Sequence, residues 1–60
     1  MVMHTAAQIV ARMARKYDVR PVWLWEVLDV HFNMRKGEGC VMDPAEVEAF
    51  KDLIEELLDT

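Results

Sequence analysis

Sixty residues, 53% of them apolar, with a net charge of −4, describe a folded chain of one domain, 1–60, rather than a disordered one. A chain this short buries only about 60% of its unfolded surface and is marginal alone, so association with a partner is one expected route to stability. The single cysteine, Cys40, excludes an intrachain disulfide and fits a reducing compartment.

No run approaches the ~18 uncharged residues of a membrane span. The start Met1-Val2-Met3-His4 lacks the basic segment and long apolar stretch of a signal peptide. The expected location is cytoplasmic, away from membranes. The charge is unevenly spread. Residues 1–36 hold six basic and three acidic residues, net +3, and residues 37–60 hold one basic and eight acidic, net −7. Such a split suits a nucleic acid or a head-to-tail protein contact, and its plainer reading is two solvated helix faces of opposite sign.

In chain order, the first expected helix spans about 5–17. Thr5 and Gln8 form a Thr-x-x-Gln capping box. Ala6, Ile9, Val10, Met13, Ala14 and Tyr17 recur at helical spacing, with Gln8, Arg12, Arg15 and Lys16 opposite. Arg15 and Lys16 also complement the negative end of the helix dipole.

A short break at Asp18-Val19-Arg20 precedes Pro21, a residue suited to the first helical turn. The second helix is expected over about 20–36, ended by Gly37. Its content is unusual. Leu24, Val27, Leu28 and His31 lie on one side, Val22, Trp25 and Phe32 on another, and Trp23, Val30 and Met34 on a third. A helix apolar nearly all round is a buried helix, yet little protein is left here to bury it. Trp23 and Trp25 point about 200° apart at 3.6 residues per turn and cannot share one small core. One is expected as a core anchor, the other as an outward contact or covered by Met1–Met3 and Cys40–Met42. A strand is rejected because Val27 and Leu28 are adjacent apolars and Glu26 interrupts the alternation.

Cys40-Val41-Met42 then reads as an apolar connector over the core. The third helix, about 43–59, opens with Asp43 as cap, Pro44 in the first turn and Glu46 three residues after the cap. Val47, Phe50, Leu53, Ile54, Leu57 and Leu58 form its apolar stripe. Glu48, Lys51, Asp52, Glu55 and Glu56 form its wet face. The expected fold is all-α: a compact three-helix bundle, or a helix-turn-helix-like arrangement of the same helices.

Residues 14–27 resemble the helix-turn-helix motif of DNA-binding regulators. Ala14, Asp18, Val19, Leu24 and Val27 occupy its small, turn and apolar positions, with aspartate where glycine is usual. The resemblance implies a recognition helix presenting Arg20, Pro21, Val22, Trp25, Glu26 and Asp29 to a major groove, with Arg12, Arg15, Lys16 and Arg20 on phosphates. The chemistry of that surface argues the other way. Base edges call for Arg, Lys, Asn or Gln, and a pI near 4.9 is no basic footprint. DNA binding is therefore the alternative. The favoured expectation is a non-enzymatic interaction or regulatory module that binds a protein partner or a second copy of itself, with Trp23, Trp25, Val22 and Phe32 as contact residues.

No cofactor, metal or catalytic site is expected. His31, Met34, Cys40 and Met42 offer ligand types suited to Cu(I), but one thiol is few for such a site, and these residues usually pack. Cys40 with His31 is the one candidate nucleophile and base, with no third group to orient the histidine. Gly37-Glu38-Gly39 lacks the strand and lysine of a phosphate loop.

Overall fold

Capping at Thr5 sets where the first helix begins. In the computed structural model, which describes residues 3–59, the Thr5 hydroxyl accepts from the Gln8 amide at 3.2 Å. The Gln8 side-chain oxygen accepts from the Thr5 amide at 3.1 Å. Helix α1 follows over Ala6–Tyr17, with Ala6, Ile9, Val10 and Met13 buried. Asp18 ends it in left-handed geometry at φ 54°, which aspartate tolerates better than most residues. The amides of Asp18 and Val19 both donate to the Ala14 carbonyl.

Arg20 is extended, as a residue before proline prefers, and α2 runs over Pro21–Phe32. It stops four residues short of the expected end at Lys36. Asn33 adopts left-handed angles, φ 55° and ψ 39°, the role asparagine shares with glycine at helix ends. The Asn33 and Met34 amides both donate to the Leu28 carbonyl, Met34 at 3.2 Å. The reversal sends Met34 into the core, where it is 8% exposed. Gly37 and Gly39 take positive φ within the loop that follows and do not cap the helix.

That loop delivers a short strand that periodicity alone does not announce. β1 (His4–Thr5) and β2 (Val41–Met42) pair antiparallel, with His4 opposite Met42 and Thr5 opposite Val41. The Ala6 amide, one of the donors left free at the start of α1, reaches the Cys40 carbonyl at 2.8 Å. The connector expected over the core is thus a paired strand. Met42 is fully buried, Cys40 is half-buried and Val41 faces out.

Helix α3, Pro44–Leu58, starts as its sequence indicates. Asp43 accepts from the Glu46 amide at 2.8 Å, and Glu46 accepts from the Asp43 amide at 3.2 Å. Phe50 and Ile54 are fully buried, whereas Leu57 and Leu58 continue the stripe beyond the core and are exposed. Phe32 meets Phe50 edge to face, ring centres 5.9 Å apart. Three helices and a two-stranded ribbon thus enclose one core, and the Cα radius of gyration of 10.5 Å equals the ~10 Å expected of a packed chain of this length. Among the described residues no helix is long and apolar enough to cross a membrane.

The left-handed turn at Asn33 is directly testable. Asn33→Val forces a β-branched residue into an αL position, and the chain should lose about 1–2 kcal/mol. Asn33→Gly should keep or raise stability. Urea unfolding midpoints of the two variants should therefore move apart.

Candidate interaction face on the second helix

Helix α2 buries Leu24, Val27 and Leu28 and turns the opposite side outward. On that side Val22 is 64% exposed and Val30 is 77% exposed, with Glu26 and Asp29 between them, also exposed. Trp23 and Trp25 flank this face on its two edges. Both are half-buried and packed against the core, so neither serves as a sole core anchor. Phe32, expected as a contact residue beside them, is also half-buried, with its ring held against Phe50 of α3.

Trp25 and Arg35 both line two surface depressions. The deeper one, about 340 Å³, lies between the start of α1 (Thr5, Ala7), Trp25 and the loop residues Arg35, Gly37 and Cys40. The shallower one, about 260 Å³, is lined by Val22, Trp25, Glu26 and Asp29 of α2 and by Arg35 and Lys36 of the loop. Trp25 is therefore bordered by the 33–40 loop. Of the N-terminal residues expected over a tryptophan, Met1 and Val2 lie outside the described residues, and Met3 is 51% exposed. The Arg35 guanidinium donates to Asp29 at 3.2 Å, both side chains largely in solvent. This pair draws the loop along the outer face of α2, though an exposed ion pair adds little stability by itself. The sequence reading missed Arg35 and Lys36 as part of this surface. It extended the helix through them, and the one available signal was Asn33.

The basic residues Arg12, Arg15, Lys16 and Arg20 are all exposed. None makes an ion pair among the described residues. Lys16 sits 5.4 Å from the centre of the Tyr17 ring. The segment resembling a helix-turn-helix folds as helix, three-residue turn and helix. Asp18 is left-handed at the turn, Leu24 and Val27 are buried, and Ala14 and Val19 are partly buried. Beyond Arg20, the outward side of α2 offers carboxylates and valines.

The residues weighed as metal ligands are divided by the fold. Met34 and Met42 are packed in the core, Cys40 borders the deeper depression and His31 is exposed. Among the described residues no three His, Cys, Asp or Glu side chains converge on one point.

A side-chain hydrogen bond joins α1 to α3. The Tyr17 hydroxyl donates to Glu55 at 2.6 Å. Partial burial first, then this hydrogen bond and the charges of Glu55, Asp52 and Glu48, push the Tyr17 pKa up to about 12.

Against protein-family models, curated proteins and solved structures, the chain matches none, so its functional reading rests on its own residues.

The Tyr17 contact has a defined alkaline signature. The folded chain holds the phenol proton more tightly than the unfolded chain, so the stability from this contact is fully present below pH 10.0. It is lost as pH rises towards about 12. Tyrosinate absorbance should titrate near 12, and Glu55→Gln should bring the midpoint down towards 10.0 while burial keeps it from arriving there.

Proposed function

We propose that this chain is a small non-enzymatic protein–protein interaction or regulatory module, of adaptor, inhibitor or antitoxin type, that self-associates through the outward face of α2. The observation that carries this reading is the exposure of Val22 and Val30 on a helix flanked by two half-buried tryptophans. Apolar area left in water is worth about 25 cal/mol per Å² when a partner covers it, and tryptophan is the residue type most enriched among interface anchors. A face that can meet its own copy makes a two-fold dimer the simplest assembly.

Sedimentation equilibrium tests this reading. The chain should show a reversible, concentration-dependent dimer. Trp25→Ala should weaken it by about 2 kcal/mol. Trp25 also packs against the core, so Val22→Asp is the decisive variant: it alters an exposed position and should weaken the dimer with the helical circular dichroism unchanged. A chain that stays monomeric, or a dimer indifferent to Val22→Asp, would remove the proposal.

A second reading is a DNA-binding regulator using residues 14–27, with Arg12, Arg15, Lys16 and Arg20 on phosphates. Its support is the left-handed Asp18 at the turn position of the motif. A salt titration against nonspecific duplex separates the two, because phosphate binding weakens steeply as salt rises. On the interaction reading no such binding occurs at low ionic strength. Salt-dependent binding would move the function to the basic side of α1.

A further inference from the structure

The two depressions beside Trp25 differ in charge. The shallower one has the carboxylates of Glu26 and Asp29 in its lining, together with Arg35 and Lys36. The deeper one has no acidic residue in its lining, and Arg35 is its only charged residue. Trp25, Ala6 and Ala7 supply apolar surface there. Its volume of about 340 Å³ lies within the ~300–1,000 Å³ of small-ligand sites. Arg35 is held through one atom. Asp29 accepts from its Nε at 3.2 Å, and no other hydrogen bond engages the guanidinium among the described residues. Its Nη donors are therefore open to an anion, and a planar guanidinium pairs with a carboxylate through two parallel hydrogen bonds.

We infer that the deeper depression binds a small aromatic carboxylate, with its ring against Trp25 and its carboxylate on Arg35. The ring gains by leaving water and by meeting the indole. The anion is selected because one cation and no carboxylate lines the depression. The shallower depression is the poorer site for it, since Glu26 and Asp29 repel negative charge there. The Arg35 side chain is 68% exposed and shares its charge with Asp29, so binding is weak and reversible. A Kd on the order of 1 mM is expected for a ligand of this size at so open a site. The inference goes beyond the self-association proposed above and does not depend on it.

Naphthoate and its neutral counterpart naphthamide serve as probes, with amide and indole NMR signals as the readout. Naphthoate should shift the amides of Ala6, Ala7 and Cys40 and the indole of Trp25 in a saturable way, leaving the Trp23 indole in place. Naphthamide should bind about fivefold more weakly, the worth of an exposed ion pair. Arg35→Gln should bring naphthoate down to the naphthamide level. Ala7→Leu fills the deeper depression from an exposed helical position and should abolish binding of both probes. Val22→Asp lies at the shallower depression alone and should leave binding nearly unchanged. Circular dichroism should be the same for all three variants. Absence of saturable shifts at tenfold the expected Kd would overturn the inference. So would equal affinity for the two probes, or binding that survives Ala7→Leu and is lost in Val22→Asp. A chain that dimerises without binding naphthoate defeats this inference alone, and one that binds naphthoate as a monomer supports it while the dimer falls.

Discussion

The carbonyl of Leu28 is the point on which the arrangement depends. It receives the amides of both Asn33 and Met34 and so turns the chain back after three turns of α2. Without that reversal Arg35 and Lys36 would continue the helix into solvent. With it, Met34 enters the core, Arg35 reaches Asp29, and the chain arrives at β2 in position to pair with the residues preceding α1. A short chain has few apolar residues to spare. Folding the loop back lets Met34 and Met42 complete a core that three helical stripes alone leave open.

The same reversal addresses the excess of apolar surface on α2. The core takes Leu24, Val27 and Leu28, Phe50 packs edge to face with Phe32, and the returning loop borders Trp25. What remains is the strip from Val22 to Val30, too exposed to belong to the core and edged by aromatic rings. The interaction reading grows from this remainder. Single exposed valines are ordinary on protein surfaces; valines set between two half-buried tryptophans on one helix are a more specific arrangement.

Charge is handled differently on α3. Its wet face carries Glu48, Asp52, Glu55 and Glu56 against the single cation Lys51, whose ammonium lies 4.0 Å from Glu48. Repulsion between Glu48 and Asp52, four residues apart, is small at an exposed surface. On the same face Tyr17 donates a hydrogen bond to Glu55, which fastens the end of α1 to α3 with a neutral donor at a site where another carboxylate would have been unfavourable.

Much of the fold was legible locally. The capping boxes at Thr5 and Asp43, Pro21 and Pro44 in first turns, and the stripes on α1 and α3 are signals carried within a few residues, and each helix begins within a residue of where those signals place it. Ile9, Val10, Met13, Phe50 and Ile54 are buried as their spacing implies. The all-α class and the number of helices were therefore determined by the sequence itself. The end of α2, the β1–β2 ribbon and the fold-back of Arg35 and Lys36 were decided by tertiary structure. Asn33 is compatible with either continuing or ending a helix, and two-residue strands show no alternation to read. Which of these local options prevailed depended on contacts far apart in sequence: Met34 and Met42 gaining burial, and Ala6 finding the Cys40 carbonyl. The candidate surface shows the same division, since the sequence marked Val22, Trp23 and Trp25, while only the folded chain brought Arg35 and Lys36 into one depression with Val22 and Trp25.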